Sequence, residues 1–419
     1  MPRTFWLETL GCPKNQVDSD KLAGTMLAEG LTPAPSPADA DVVVVNTCAF
    51  VEEARQESID TVLALDDTRR EGSRLIVTGC LAERYGDELA EALPEADAVV
   101  GFGVPVTIGT RGAAPAFDLL HLPRPPVSAP WAYVKVAEGC DRACGFCAIP
   151  SFRGPQRSRE PADVLAEVEA LDVREVVLVA QDLASYGRDQ GVGERRLVPL
   201  VRAVAERVER VRLLYLYPAE LTDELVTAIV DTGVPYFDLS LQHVSRPLLR
   251  RMRRWGDGER FLARIATIRA IEPAAVFRSN FIVGYPGETE EDHDRLLAFV
   301  EQARLDWCGF FAFSAEEGTY AAGLDAAVPP ALVDERLAEL RELQDRITAE
   351  ARDRLIGTRT EVLIDRPGVG RSFREAPEID GVVNVPGTLP VGSVVTVRIV
   401  DALGPDLVAE PVDPGGAAS

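Results

Sequence analysis

Ala132-Tyr133-Val134-Lys135-Val136-Ala137-Glu138-Gly139-Cys140-Asp141-Arg142-Ala143-Cys144-Gly145-Phe146-Cys147 is the stretch on which the fold turns. Its first five residues, with Tyr133 and the β-branched Val134 and Val136 around Lys135, read as a short strand. The strand runs straight into a C-x3-C-x2-C loop. Thiolates are the usual ligands of iron–sulfur clusters. Three thiolates leave one iron of a four-iron cubane open, and an open iron can bind a substrate. A structural zinc loop built on the same cysteines, or a chance spacing of cysteines, is the competing reading.

Five further β-like runs follow that first one: Glu175–Val179, Arg212–Tyr217, Tyr236–Leu241, Val276–Val283 and Gly309–Phe313. Helical segments separate them, among them Pro161–Leu171, Leu197–Val208, Asp223–Thr232, Glu259–Ile271 and Glu290–Ala303. Six βα units over residues 131–356 predict a (β/α)6 partial barrel, whose active site lies at the carboxyl ends of its strands. The cysteine loop falls at such an end.

Upstream, over residues 1–122, one pattern repeats three times. Short apolar runs lead to Cys12, Cys48 and Cys80, and the amphipathic stretches Ser19–Glu29 and Glu52–Leu65 lie between them. Alternating strands and helices predict an open parallel α/β sheet. Ligand sites in such sheets lie outside the carboxyl ends of the strands. Three cysteines at three such ends converge on one edge, although each alone reads as a small buried residue. Residues 123–130, within the Pro-rich Leu122–Pro130, read as a linker. A long helix, Pro330–Ile356, leaves the barrel. Residues 357–414 then change to short strands, Thr360–Ile364, Gly381–Val385 and Ser393–Val400, which predict a small antiparallel β-barrel. The end, Pro414–Ser419, reads as frayed.

The chain has 419 residues, enough for roughly two to four domains. Its 46% hydrophobic and 26% charged content is that of a globular protein. The first residues lack the charged-then-apolar order of a signal peptide, and no apolar run is long enough to span a membrane, so a cytoplasmic protein is expected. Seven cysteines spread over this length suit metal binding or chemistry better than disulfides.

Net charge is −23, and every part is acidic. Lys+Arg against Asp+Glu stand at 10 and 20 in residues 1–130, 29 and 38 in 131–357, and 5 and 9 in 358–419. Proteins that grip nucleic acid by its phosphates normally present a basic face. The balance favours a basic protein partner over naked RNA.

The stretches Glu8-Thr-Leu-Gly-Cys-Pro-Lys-Asn-Gln-Val-Asp-Ser19, the Cys140 triplet and Ser279-Asn-Phe-Ile-Val-Gly-Tyr-Pro-Gly-Glu-Thr289 together resemble the methylthiotransferases, a family of radical S-adenosylmethionine enzymes. The resemblance covers nearly the whole chain. It implies an N-terminal methylthiotransferase domain, a radical barrel and a C-terminal TRAM domain. It implies a 4Fe–4S cluster on Cys140, Cys144 and Cys147 that binds S-adenosylmethionine, and a second, auxiliary 4Fe–4S cluster on Cys12, Cys48 and Cys80. The implied chemistry makes a 5′-deoxyadenosyl radical, takes hydrogen from an unactivated carbon and inserts a methylthio group there. A reductant such as flavodoxin or ferredoxin would supply the electron.

Family members modify either tRNA adenosines or an aspartate of ribosomal protein S-twelve. Leu10-Gly-Cys-Pro-Lys-Asn15 and Gly370-Arg-Ser with Ala376-Pro-Glu-Ile-Asp-Gly381 resemble the ribosomal-protein branch, the RimO type. Independently of that resemblance, the acidic C-terminal segment suits a very basic ribosomal protein. The expected substrate is that protein, with RNA contact secondary; a tRNA enzyme is the alternative. One departure is the order Ser158-Arg159-Glu160-Pro161, which displaces the family proline by one residue, though Pro161 still opens a helix at its first turn.

Other candidates lie at the reactive barrel end. Gln181 and Asp182 follow the second strand, Gln242 and His243 the fourth, and Gly284 and Gly287 flank a turn after the fifth. Gln181, Asp182, Gln242 and Gly284 read as S-adenosylmethionine contacts or as ordinary loop residues. The superfamily resemblance adds Phe146 beside the adenine. Arg250, Arg251, Arg253 and Arg254 form the most basic run, read as a solvated helix face or a phosphate contact. Cys308 reads as core packing. The three histidines form no metal pattern.

Overall fold

The computed structural model describes residues 3–102, 118–191 and 196–412. The N-terminal part is a parallel sheet of β1 (Thr4–Thr9), β2 (Thr32–Pro33), β3 (Val42–Thr47), β4 (Arg74–Gly79) and β5 (Ala98–Val99), in the order β2-β1-β3-β4-β5. Helices α1 (Pro13–Ala28), α2 (Glu52–Thr68) and α3 (Cys80–Ala92) follow β1, β3 and β4. Every residue of β3 is buried, as a strand covered on both faces must be. Two apolar clusters flank the sheet, one around Val43, Val45 and Val77, the other around Val42, Val44 and Ile76.

The central part carries β6 (Trp131–Lys135), β7 (Ala137–Glu138), β8 (Arg157–Ser158), β9 (Glu175–Val179), β10 (Arg210–Leu213), β11 (Tyr236–Gln242), β12 (Val276–Val283) and β13 (Trp307–Ala312). β6, β9 and β10 make one parallel half and β11, β12 and β13 the other. The bridge Leu216↔Leu239 joins them into the six-stranded partial barrel expected. The third strand begins and ends earlier than the apolar run Arg212–Tyr217 suggested. Tyr215 adopts a left-handed φ of 65°, which interrupts the ladder.

The helices of this part are α4 (Ile149–Arg153), α5 (Pro161–Leu171), α6 (Leu197–Ala205), α7 (Asp223–Asp231), α8 (Arg246–Arg251), α9 (Gly258–Ile271), α10 (Glu290–Ala303) and α11 (Pro330–Asp353). Pro161 and Pro330 sit at the first turns of α5 and α11, where a missing N–H costs nothing. A reciprocal cap between Thr289 and Asp292 starts α10.

The C-terminal part is a closed barrel of β14 (Arg359–Arg366), β15 (Val369–Arg371), β16 (Val383–Asn384), β17 (Val394–Leu403) and β18 (Asp406–Pro411). All its pairings are antiparallel except β16 with β18. β18 matches none of the runs singled out in the sequence, and Gly381–Val385 shortens to two paired residues. The segment just before β16 leaves the small barrel and enters the base of the large one. There Phe373, Ala376 and Ile379 join Tyr133, Val177, Leu214, Tyr236 and Trp307 in one apolar cluster. Arg371 pairs with Glu175 at 2.9 Å, and the Tyr236 hydroxyl donates to Asp380 at 2.5 Å. The residues expected to be a linker are held down as well: the Arg124 guanidinium pairs with Asp20 and Glu167. The frayed end expected at Pro414–Ser419 lies outside the described residues.

Candidate active site

Cys12 is the N-cap of α1, Cys48 directly follows β3, and Cys80 is the first residue of α3. β1, β3 and β4 are neighbours in register, Thr9 against Asn46 and Thr47 against Gly79, so the three sulfurs meet at one sheet edge. Two glycines make room. A Cβ on Gly11 (φ 97°) would stand 2.9 Å from the Cβ of Cys48, and one on Gly79 (φ 94°) 2.3 Å from Asn46 Oδ1. Asn15 Nδ2 ties the loops together by donating to the carbonyls of Leu10 (2.9 Å) and Thr47 (3.0 Å).

The three thiols are not alike. Burial pushes Cys48 up to about 12, and the neighbouring Cys12 and Cys80 add to the shift. Burial also raises Cys80, against the opposing charge of Arg153. Burial acts on Cys12 as well, but the Lys14 ammonium, the N–H groups of Asn15 and Lys14, and Arg153 outweigh it and hold that thiol below its ordinary value.

The second group belongs to one loop. β7 and β8 pair across its neck, Ala137 with Ser158 and Glu138 with Arg157. A Cβ on Gly139 (φ 79°) would lie 2.1 Å from the Pro155 carbonyl, so only glycine fits the turn into Cys140. Burial raises Cys140 to about 11 and Cys147 to about 12; the charge of Cys144 adds to both shifts and that of Cys140 to the shift of Cys147. Arg254 Nη1 donates to Cys144 Sγ at 3.2 Å, and the Met252 carbonyl accepts from Gly145 N at 2.8 Å.

Both groups fit iron–sulfur clusters by their donor sets. Each collects three soft sulfur donors whose thiolates repel one another until cations neutralise them. Among the described residues no group of three or more His, Cys, Asp or Glu is placed to hold a single metal ion. A cubane asks each thiolate to meet a different iron, so its ligands stand further apart than those around one ion.

The two groups are linked. Ala148 and Phe152, just past Cys147, pack into the core of the N-terminal sheet. Arg153, the last residue of α4, donates to Cys80 Sγ at 3.0 Å and to Asn15 Oδ1 at 2.8 Å. It also pairs with Asp18 (2.9 Å) and Glu138 (3.0 Å), while Lys135 pairs with Glu138 (2.6 Å) and with Asp18. These four side chains are buried. Burial alone would raise the Glu138 carboxyl, but Arg153 and Lys135 hold it well below the usual range. Such a network does more to fix geometry than to stabilise the fold. None of its members stood out in the sequence, because a lone charged residue in a loop or strand carries no spacing signal.

The remaining candidates divide. Gln181 donates to Glu138 Oε1 at 2.5 Å, and its own Oε1 is buried with no partner. Asp182 Oδ2 accepts from Arg142 (2.5 Å) and Ser185 (2.6 Å), and Oδ1 has no partner. Asn280 Oδ1, on β12, is likewise buried and unpartnered. Gln242 ends β11 with a left-handed φ of 71°. Phe146 is half-buried against the barrel core. A Cβ on Gly284 would stand 2.5 Å from Val333, so packing against α11 by itself requires that glycine. His243 is buried with Nε2 unpartnered, and burial lowers it to about 4. Cys308 packs on the barrel core.

The basic run divides between half-buried and exposed members. Arg254 binds the Cys144 sulfur and the Ser240 carbonyl and stacks on Tyr217, with 4.5 Å to the ring centroid. Arg251 donates to the Asp325 carbonyl at 3.2 Å, and Arg253 lies over Tyr320. Arg254 turns inward onto the cysteine loop and Arg251 and Arg253 meet neighbouring residues, while Arg250 stays exposed.

Residues 4–101 match uncharacterized protein family UPF0004, residues 134–300 the Radical SAM superfamily, and residues 356–412 the TRAM domain. The chain is 43% identical to "Ribosomal protein uS12 methylthiotransferase RimO" of Saccharopolyspora erythraea, over 98% of this chain and 95% of that protein. It is 45% identical to the Moorella thermoacetica protein of the same name, over 93% and 95%. A solved structure of the radical S-adenosylmethionine methyltransferase TsrM from Kitasatospora setae aligns with TM-score 0.49 and 12% identity, covering 88% of this chain and 80% of that one. The chain therefore belongs to the RimO family of radical S-adenosylmethionine methylthiotransferases.

Proposed function

We propose that this enzyme adds a methylthio group to the β-carbon of an aspartate in ribosomal protein uS12. The observation that carries the reading is the link, through α4 and Arg153, between two three-thiol groups in a chain whose relatives are named for that activity. Cys140, Cys144 and Cys147 would hold the cluster that binds S-adenosylmethionine, and Cys12, Cys48 and Cys80 an auxiliary cluster on the route of the sulfur. When bound, the first cluster supplies the electron that splits S-adenosylmethionine into a radical able to take hydrogen from an unactivated carbon.

The chain's own residues bind, orient and exclude. The unpartnered oxygens of Gln181 and Asp182 are acceptors left over for S-adenosylmethionine, with Phe146, Gln242 and Gly284 as further candidate contacts. A buried acceptor without a partner is costly, and a ligand donor relieves it. The C-terminal segment Phe373–Asp380 closes the base of the barrel, leaving the thiol face as the open end and keeping bulk water from the far side. An acidic surface suits a very basic ribosomal protein. A flavodoxin- or ferredoxin-like reductant would deliver electrons, and contact with ribosomal RNA would be secondary. Residues 1–122, 131–356 and 357–414 would be the three domains, with 123–130 joining the first two and Phe373–Asp380 of the third seated in the base of the second. Among the described residues no helix is long and apolar enough to cross a membrane.

Mass spectrometry of uS12 from cells with and without the gene tests the substrate. The expected result is a methylthio mass increment that disappears with the gene. A missing increment in both samples, together with a lost tRNA methylthio nucleoside, overturns it. Failure of the reduced, reconstituted enzyme to release 5′-deoxyadenosine overturns the radical chemistry itself.

A further inference from the structure

Arg153 is six residues past Cys147 yet ends on a sulfur of the other thiol group. We propose that it is a positioning residue for the N-terminal site: it fixes the Cys80 sulfur and raises the reduction potential of the cluster held there. The inference rests on the reading of Cys12, Cys48 and Cys80 as cluster ligands.

The geometry is that of a clamp. Nη2 donates to Cys80 Sγ (3.0 Å) and to Asn15 Oδ1 (2.8 Å), while Nη1 donates to Asp18 Oδ2 (2.9 Å) and both oxygens of Glu138 (3.1 and 3.0 Å). The guanidinium lies over the Phe102 ring, 4.1 Å from its centroid. Only 8% of the residue is exposed. A planar fork held on two edges and one face has one orientation, and lysine cannot reproduce it. Asn15, which shares Nη2, is the residue that stitches the Cys12 and Cys48 loops together, so the clamp reaches all three ligand loops.

The electrostatics have a sign. Asp18 and Glu138 carry two negative charges, Lys135 and Arg153 two positive ones, so the buried group is balanced. A cluster gains negative charge on reduction. A cationic N–H on one of its sulfurs, in a site with little water, favours that state. Without Arg153 the network turns net negative beside Cys80, and the reduced form loses its donor.

The test uses the full chain with Cys140, Cys144 and Cys147 all changed to alanine, so that only the N-terminal site can be loaded with iron and sulfide. Iron content, melting temperature and a redox titration followed by electron paramagnetic resonance are read for this parent and for R153M, R153M/D18N and R153K. R153M is expected to move the oxidised-to-reduced ratio at a fixed potential about tenfold, a negative shift of about 59 mV for one electron. R153M/D18N restores the charge balance and keeps a smaller negative shift from the lost donor. R153K keeps the charge without the fork and shifts least. Should R153M not fold, the other two carry the test. Loss of iron from an R153K chain that melts with the parent also supports the clamp. Variants that load and titrate with the parent overturn the inference. A parent chain that binds no iron overturns the cluster reading instead.

Discussion

The two thiol groups are assembled by opposite routes. Cys140, Cys144 and Cys147 come from eight consecutive residues, pinched at the neck by the β7–β8 pair. Cys12, Cys48 and Cys80 come from three strand ends 36 and 32 residues apart, and only the register of β1, β3 and β4 assembles them. A local site survives on its own turn chemistry, whereas a dispersed one is as good as the sheet that carries it. Yet each has one arginine donating to one sulfur, Arg254 to Cys144 and Arg153 to Cys80. Hydrogen bonds to cluster sulfurs and ligands tune potential and affinity, so on the proposed reading the same device would serve both.

The largest expected effect separates the roles. Cys144→Ala abolishes both 5′-deoxyadenosine release and methylthio transfer, whereas Cys48→Ala abolishes transfer and leaves 5′-deoxyadenosine release. Both products are read by chromatography with mass detection, and equal loss in both variants would erase the distinction between the sites. Gly79→Ala tests dependence on the sheet. Its Cβ would meet Asn46 Oδ1 at 2.3 Å and the Thr47 backbone at 2.6 Å, at a φ of 94°. A cost of about 3 kcal/mol or more in melting stability is expected. Iron should be lost from the dispersed site first, while the loop site keeps its own. The smallest effect is expected from Arg254→Met, which removes the donor from Cys144. S-adenosylmethionine cleavage should slow roughly tenfold, with the N-terminal cluster signal unchanged. Equal disturbance of both clusters would show that the two sites do not respond separately.

How much of this was legible follows the same division. The Cys140 loop announces itself by spacing, and six apolar runs announce the barrel. The N-terminal cysteines were legible only through their shared place after a strand. The Arg153–Asp18–Glu138–Lys135 network was not legible, because its members lie up to 135 residues apart and pair only in the folded chain. Arg254 was visible as charge, but its destination was hidden: the same run reads as a surface face until the chain turns at Met252 to accept from Gly145. The C-terminal segment gave no sign of leaving its barrel, since Phe373-Arg-Glu-Ala-Pro-Glu-Ile-Asp380 looks like an ordinary polar loop.

That segment bears on protein engineering. Exchanging C-terminal barrels between relatives is an obvious way to redirect such an enzyme to a new target. In this chain a cut at Gly357 would not yield a detachable module. Arg371 would leave Glu175 and Arg212 without their third partner, Asp380 would leave Tyr236 and Arg278, and the apolar floor of the large barrel would open. A workable chimaera must carry the Phe373–Asp380 segment with the host's barrel or transplant its buried partners along with the graft.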